Sequence, residues 1–340
     1  MRLTTELFKR SHHPRGPLVT VLGASGFLGS AVVAELAALP LRLRLVARGP
    51  SRVPAEPVAD IEVRRTDLAR PDAVAAAAEG ADAVVHLAAG IGGQQSWRAA
   101  DEHAERVNVG MMRDLVDALR GRSGARPAVA FASTLQAGSP TGNAAPLGGY
   151  ASQKIAAEGI LREATAEGVV RGVVLRLSTL YGHSPLSGGA GRGVLASMTR
   201  RALDGEALTM WHDGSVGRDF LHVRDAAGAF TAALEHAAEL QGEPWIVATG
   251  RLERLGDVFT ALAGLVAEHT GGTPAPVVAV PPPAYAEAGD FHSPESDSAA
   301  FRAVTGWAPR VRFPEGLRAM VAAIAAVHPA PPAAHPAVSS

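Results

Sequence analysis

Leu18-Val19-Thr20-Val21-Leu22-Gly23-Ala24-Ser25-Gly26-Phe27-Leu28-Gly29 is the stretch whose reading decides the fold. An apolar, β-branched run leads straight into glycines at Gly23, Gly26 and Gly29, and a helical pattern starts at once. Spaced in this way, the glycines permit a tight turn, close approach of a pyrophosphate to backbone N–H groups, and tight packing of helix on strand. The helix N-terminus then faces the anion. A glycine string alone is weak evidence, and its place between a strand and a helix is what makes it a dinucleotide signal. Gly23, Ser25, Gly26, Phe27, Leu28 and Gly29 are the expected contacts.

Outward from this loop, short apolar runs alternate with longer Ala-rich amphipathic stretches, which is how strand–helix–strand units read. LVTVL (18–22), LRLRLV (41–46), IEVRR (61–65), AVVHLA (83–88), AVAFAS (128–133) and GVVLRL (172–177) are the predicted strands. Helices are predicted near 27–38, 71–79, 100–120 and 150–166. Units of this kind imply an α/β fold, a doubly wound parallel sheet of Rossmann type with helices on both faces. After residue 180 the rhythm changes to Gly/Ser-rich loops and helices near 194–204, 223–237, 255–268 and 314–326. The expected organisation is a flexible leader (1–16), a dinucleotide-binding domain (17–180, with some later segments returning to it), a smaller substrate lobe (mainly 181–328) and a Pro/Ala tail (329–340).

Composition narrows the function. Of 340 residues 47% are apolar and 19% charged, which fits a globular chain rather than a disordered or membrane-spanning one. A formal charge of -1 leaves no global attraction to a nucleic-acid backbone. The absence of cysteine excludes disulfides, a thiolate nucleophile and cysteine-ligated metal. The N-terminal stretch has no apolar h-region and no run reaches spanning length, so a cytoplasmic protein is expected. The 12 histidines show no metal-ligand spacing, and no G-x-S-x-G elbow is present.

The end of the second strand discriminates between cofactors. An acid there serves the ribose 2′-OH of NAD, whereas a 2′-phosphate needs positive charge. LRLRLV runs into Ala47-Arg48-Gly49, with Arg48 and no acid, so NADP(H) is expected. Asp67-Leu68, after the third strand, is placed to meet the adenine. His86-Leu87-Ala88-Ala89 ends the fourth strand under the ribose, and Leu87, Ala88, Ala89 and Leu177 complete the expected cofactor wall.

Tyr150-Ala151-Ser152-Gln153-Lys154 opens a helix, which sets the phenol and the ammonium on one face, one turn apart. A cation so close is expected to lower the tyrosine pKa toward neutrality and make the phenol a useful proton donor to a carbonyl oxygen. Lys154 would also hold the nicotinamide ribose. Ser133 and Thr134 end the fifth strand, and either could donate to the same oxygen. Asn108, unfavourable within a long helix, either supports Lys154 through backbone or water or is a satisfied buried amide.

GASGFLG, HLAA, the Ser133 region, YASQK, RLSTLYG (176–182), GRDFLHVRD (217–225) and TGWAP (305–309) stand in the order of the extended short-chain dehydrogenase/reductase family, also called the nucleotide-sugar epimerase/dehydratase family, which the chain resembles over roughly residues 17–322. The resemblance implies a hydride-transferring enzyme of a sugar nucleotide, with Ser133, Tyr150 and Lys154 matching the catalytic triad. Ala137-Gly138 replaces the family's usual Tyr-Gly, which leaves Ser133 and Thr134 both open, with Ser133 preferred by counting back from Gly138. Leu135-Gln136 stands where the 4,6-dehydratases carry Asp-Glu, so dehydration lacks its acid and base. Taken whole, the chain looks most like the NDP-4-keto-6-deoxyhexose 4-ketoreductases of antibiotic deoxysugar pathways. That likeness implies NADPH-dependent reduction of a dTDP-4-keto sugar at C4 by a homodimer, with an NAD-dependent 4-epimerase as the alternative. It also implies Arg218 on the diphosphate, Trp211 on the thymine, and Thr179 and Val194 at the substrate. No arginine stands near His292, where relatives often carry a second phosphate ligand.

Overall fold

The computed structural model describes residues 16–90, 102–138, 149–184, 186, 191–284, 286 and 288–328. Its centre is a parallel sheet of β1 (Leu18–Leu22), β2 (Arg42–Ala47), β3 (Asp60–Arg65), β4 (Ala83–His86), β5 (Ala128–Thr134) and β6 (Arg171–Leu177), in the spatial order β3-β2-β1-β4-β5-β6. Short strands follow: β7 (Thr179–Tyr181), β8 (Leu208–Met210), β9 (Gly217–Arg218) and β10 (Phe220–His222). Next come β11 (Pro244–Val247), β12 (Glu253–Arg254) and β13 (Val277–Ala279). β11 pairs parallel with β6 and makes the central sheet 7-stranded, one strand more than the sequence pattern indicates. It is too short to show alternation, and it opens on Pro244, which a strand tolerates at the start of an edge. The remaining short strands pair in twos, β10 with β7, β12 with β9 and β13 with β8.

The helices are α1 (Phe27–Leu36), α2 (Pro71–Ala78), α3 (three consecutive pieces, Glu102–Glu105, a π-helical Arg106–Gly110 and Met111–Leu119), α4 (Gly149–Ala166), α5 (Val194–Leu203), α6 (Val223–Glu235), α7 (Ala237–Leu240), α8 (Leu255–Thr270), α9 (Ala299–Thr305) and α10 (Phe313–Ala325). The helix expected over 223–237 is broken at His236, whose φ of -106° and ψ of 26° leave the helical region. Alternate residues of each strand point to opposite faces. Val19, Val21, Leu43, Leu45, Val85 and Leu175 pack against α1 and α6, while Leu22, Val46, Val84, Val129 and Phe131 pack against α2, α3 and α4. Two covered faces explain why these strands read as unbroken apolar runs.

A separate core holds the second lobe. Leu195 of α5, Phe259 and Leu262 of α8, and Met320 and Val321 of α10 pack around Tyr181, Leu208 and Phe220. The chain crosses back between the two cores, since Phe230 of α6, Phe301 of α9 and Trp307 all belong to the sheet core. Two aspartates fasten these crossings. Asp225 accepts from the N–H groups of Arg310 and Val311, both at 3.0 Å, and Trp307 Nε1 donates to the Asp225 carbonyl. Asp219, fully buried, accepts from Thr249 N (3.0 Å), Thr249 Oγ1 (2.8 Å), Gly250 N (2.8 Å) and Arg251 N (3.1 Å). Among the described residues no helix is long and apolar enough to cross a membrane.

Asp219→Ala removes the acceptor of all these donors at once, and buried donors left unpaired cost about 1–3 kcal/mol each before relaxation. The expected result in urea unfolding is a loss of about 2–4 kcal/mol in stability, whereas an unchanged midpoint would show that the 249–251 turn is held by other contacts.

Candidate active site

The C-terminal ends of β1, β2, β4, β5 and β6 open onto one cavity of about 820 Å³, the size of a dinucleotide site. At its floor Gly23 has φ +90°, and a Cβ there would lie 2.8 Å from Ala88 N. A Cβ on Gly29 would lie 2.1 Å from Gly23 O, so α1 approaches β1 at a distance only glycine allows. Gly26 caps α1 without a side-chain hydrogen bond, which leaves the first-turn N–H groups of the helix open to the cavity end. This cradle fits the pyrophosphate of a nicotinamide dinucleotide, with the α1 N-terminus as the anion site. Among the described residues no group of histidines and acids could hold a metal ion.

Gly23, Ser25, Gly26, Phe27, Leu28, Gly29, Arg48, Asp67, Leu68, Leu87, Ala88, Ala89, Ser133, Thr134, Tyr150, Lys154 and Leu177 all line this cavity. Asn108, Thr179, Val194, Trp211 and Arg218 are not in its wall. Arg48 is exposed at the tip of β2, and Asp67 Oδ1 accepts from Ala69 N at 3.1 Å. His86, unlike Leu87, Ala88 and Ala89, is not in the cavity wall. Its ring is fully buried against Phe131, with centroids 5.3 Å apart, and desolvation pushes its pKa down to about 3.

At the opposite end Tyr150 and Lys154 share one face of α4. Lys154 is buried, donates from Nζ to Ala132 O at 2.9 Å, and lies 4.6 Å from the Phe131 ring centroid and 5.6 Å from that of Tyr150. The electrostatics correct the sequence expectation. Burial pushes the Tyr150 phenol up to about 12 rather than down, because the phenolate would lose its hydration. The same burial brings Lys154 down to about 8, with the Glu158 carboxylate opposing the fall.

The hydroxyls are separated by their partners. Ser133 Oγ donates to Glu158 Oε1, and Arg176 donates to the same carboxylate from Nε (3.0 Å) and Nη2 (2.6 Å). Arg176 Nη1 also holds Gly138 O at 2.9 Å. Thr134 Oγ1 accepts from Gln136 N at 3.2 Å, so its own proton remains available to a ligand. Asn108 sits in the π-helical turn of α3 and exchanges hydrogen bonds with Gly90, as acceptor at 2.9 Å and donor at 3.2 Å. Its Nδ2 also donates to Gln153 Oε1 at 2.8 Å, so the buried amide braces α4 beside Lys154 without touching it.

The second-lobe residues stand elsewhere. Arg218 gives Nη1 to Gly217 O and His292 O and Nη2 to Gly289 O and Asp290 O, so in this structure its donors serve backbone carbonyls and not an open diphosphate site. Trp211 is half-buried just beyond β8, Val194 is the exposed first residue of α5, and Thr179 N in β7 donates to Asp219 O. Sequence reasoning passed over Glu158, Arg176, Ser178 and Arg192. Glu158 was within reach, one turn beyond Lys154 on the same helical face. Ser178 and Arg192 line the cavity, and the Ser178 hydroxyl is buried without a protein partner.

Residues 19–248 match the NAD dependent epimerase/dehydratase family. The chain is 29% identical over 330 residues to a dTDP-6-deoxy-L-talose 4-dehydrogenase (NAD(P)(+)) of Kitasatospora kifunensis, covering 90% of this chain and 95% of that protein. It is 24% identical to a dTDP-L-rhamnose 4-epimerase of Burkholderia thailandensis, over 89% of this chain and 93% of the relative. Among solved structures, MoeE5 in complex with UDP-glucuronic acid and NAD superposes with a TM-score of 0.71 at 26% identity, over 90% of this chain and 98% of that one.

The depressed Lys154 pKa has a consequence for stability. Between about pH 8 and the ordinary value of 10.5 the unfolded chain binds more protons at this lysine than the folded one, so its penalty, full below pH 8, is relieved as pH rises. From pH 8 to 10, below the range where Tyr150 titrates, the wild type should therefore gain stability relative to Lys154→Met. Parallel pH curves for the two proteins in chemical unfolding would contradict the assignment.

Proposed function

Because the chain belongs to the NAD dependent epimerase/dehydratase family, we propose that it is an NADPH-dependent oxidoreductase that reduces the C4 keto group of a dTDP-4-keto-6-deoxyhexose in deoxysugar biosynthesis. One observation carries the choice of reaction. Among the described cavity residues Asp67 is the sole carboxylate, and it lies at the β3 end, away from Tyr150 and Lys154. Removal of water from a sugar needs an acid and a base beside the reacting carbons. Here the catalytic end offers hydroxyls and an amine, which suits a reaction that needs one proton and two electrons.

A reduced nicotinamide bound in the cavity supplies the electron pair together with a hydrogen. The protein supplies the rest. Tyr150, whose pKa of about 12 keeps it protonated through neutrality, donates to the developing alkoxide at O4. Lys154, with a pKa of about 8, stands near enough to stabilise the phenolate left behind. Thr134 supplies the second hydrogen bond to O4, since its proton is uncommitted while that of Ser133 is held by Glu158. Arg48, exposed at the cavity rim where NAD-preferring sites carry an acid, supports NADPH.

The substrate class draws on the relatives. A 4-dehydrogenase of a dTDP-6-deoxyhexose runs the reverse of a 4-keto reduction. In this reading Trp211 meets the thymine, with Thr179 and Val194 bordering the sugar, and the enzyme is a cytoplasmic homodimer. The 4-epimerase among the relatives favours a second reading, in which tightly held NAD returns its hydride to the same sugar. Denaturing the purified protein and identifying the released nucleotide separates the two. Little or no bound nucleotide is expected for the reductase, and stoichiometric NAD would favour the epimerase.

With NADPH and a panel of dTDP-4-keto sugars, Tyr150→Phe should abolish measurable reduction while NADPH still binds. Thr134→Ala should lower kcat by about 10²–10³-fold, the usual cost of one oxyanion donor, and Ser133→Ala by less than about 10-fold. The reverse order for the two hydroxyl variants would return the role to Ser133.

A further inference from the structure

Arg65 closes β3 opposite Ala47, the last residue of β2, and Arg48 follows Ala47 directly. The other charged groups on these strands show how unusual that corner is. Arg44 and Arg64 both bond Glu62, from their Nε atoms at 2.9 Å and 2.5 Å. Arg44 also gives Nη1 to Ala77 O and Glu79 O, and Arg64 gives Nη1 to Ala76 O. Arg48 and Arg65 have no such neutralisation. Among the described residues no carboxylate lies within ion-pair distance of either, although Asp67 is only two positions beyond Arg65.

The Arg65 side chain is nonetheless anchored at the base of Arg48. Arg65 Nε donates to the Arg48 carbonyl at 3.0 Å, which fixes one guanidinium against the backbone that carries the other. A guanidinium has five N–H donors, so four remain on Arg65, and the residue is exposed. The Ser25 hydroxyl of the glycine loop closes the same corner, 3.4 Å from where a Cβ on Gly49 would stand. Like charges gathered without a counter-ion repel, and a dianion placed between them is favoured. The hydrogen-bonding geometry suits a phosphate monoester, whose oxygens match the planar fork of arginine.

Resting on the NADPH reading, we propose that Arg65 is a second specificity-determining cation, acting with Arg48 on the 2′-phosphate of the adenosine ribose. Recognition of the phosphorylated dinucleotide is then shared between the tips of two neighbouring strands.

Calorimetric titration with 2′,5′-ADP and with 5′-ADP tests this without turnover, because the probes differ in where the second phosphate sits. The wild type should bind 2′,5′-ADP at least tenfold more tightly than 5′-ADP. Arg65→Ala should lose at least tenfold for 2′,5′-ADP while 5′-ADP changes by less than twofold, and the dependence of 2′,5′-ADP binding on salt should become shallower. Arg65→Gln, which keeps an amide able to reach the Arg48 carbonyl, should show the same selective loss and serves if the alanine variant folds poorly. Equal losses for both probes would mark a structural role and overturn the proposal, as would a variant that keeps the full preference while wild type shows it. A wild type with no preference for 2′,5′-ADP would instead remove the NADPH reading itself.

Discussion

The buried ion pair between Glu158 of α4 and Arg176 of β6 is the interaction from which the catalytic end of the cavity hangs. Both side chains are 8% exposed, so each would be costly alone, and breaking such a pair from one side leaves an uncompensated charge. The pair makes two further connections that explain its place. Arg176 pins the Gly138 carbonyl at the end of the segment that carries Thr134, and Glu158 accepts the hydrogen bond of the Ser133 hydroxyl. One turn back along α4, the same carboxylate opposes the desolvation of Lys154. Helix, strand end and amine are thereby fixed relative to one another before any ligand arrives, which is the preorganisation that catalysis by hydrogen bonding requires.

Burial decides the protonation state of the phenol and the amine. A phenol lowered to neutrality by a nearby ammonium would serve either as acid or as base. In this structure desolvation raises the Tyr150 phenol instead, so it is protonated through neutrality. A buried amine that itself titrates near pH 8 can then stabilise the phenolate in its vicinity.

Much of the fold was legible in the sequence because its signals are local. The Gly23–Gly29 loop, the apolar runs of β1 to β6 and the Tyr150–Lys154 spacing depend only on neighbours in the chain, and the structure places all of them around one cavity. What was not legible depends on partners brought together by folding. β11 is short, begins with proline and becomes a strand through β6. The π-turn at Arg106–Gly110 exists where Asn108 reaches Gly90 and Gln153. The sign of the Tyr150 shift follows from burial, which no spacing reports. Arg218 was expected on the diphosphate from the family likeness alone, yet its donors close on the carbonyls of residues 289, 290 and 292. The charge surplus at Arg48 and Arg65 likewise emerges only when strand register sets it beside Arg44 and Arg64, which share the Glu62 carboxylate.

The most direct test of net reduction follows the hydrogen itself. Turnover of a dTDP-4-keto-6-deoxyhexose with NADPH deuterated at C4 of the nicotinamide, on the transferred face, should place one deuterium at C4 of the product sugar, with oxidised cofactor released in equal amount. A product carrying no deuterium at C4, formed without consumption of NADPH, would contradict a reduction and point to chemistry confined to the sugar and a resident cofactor.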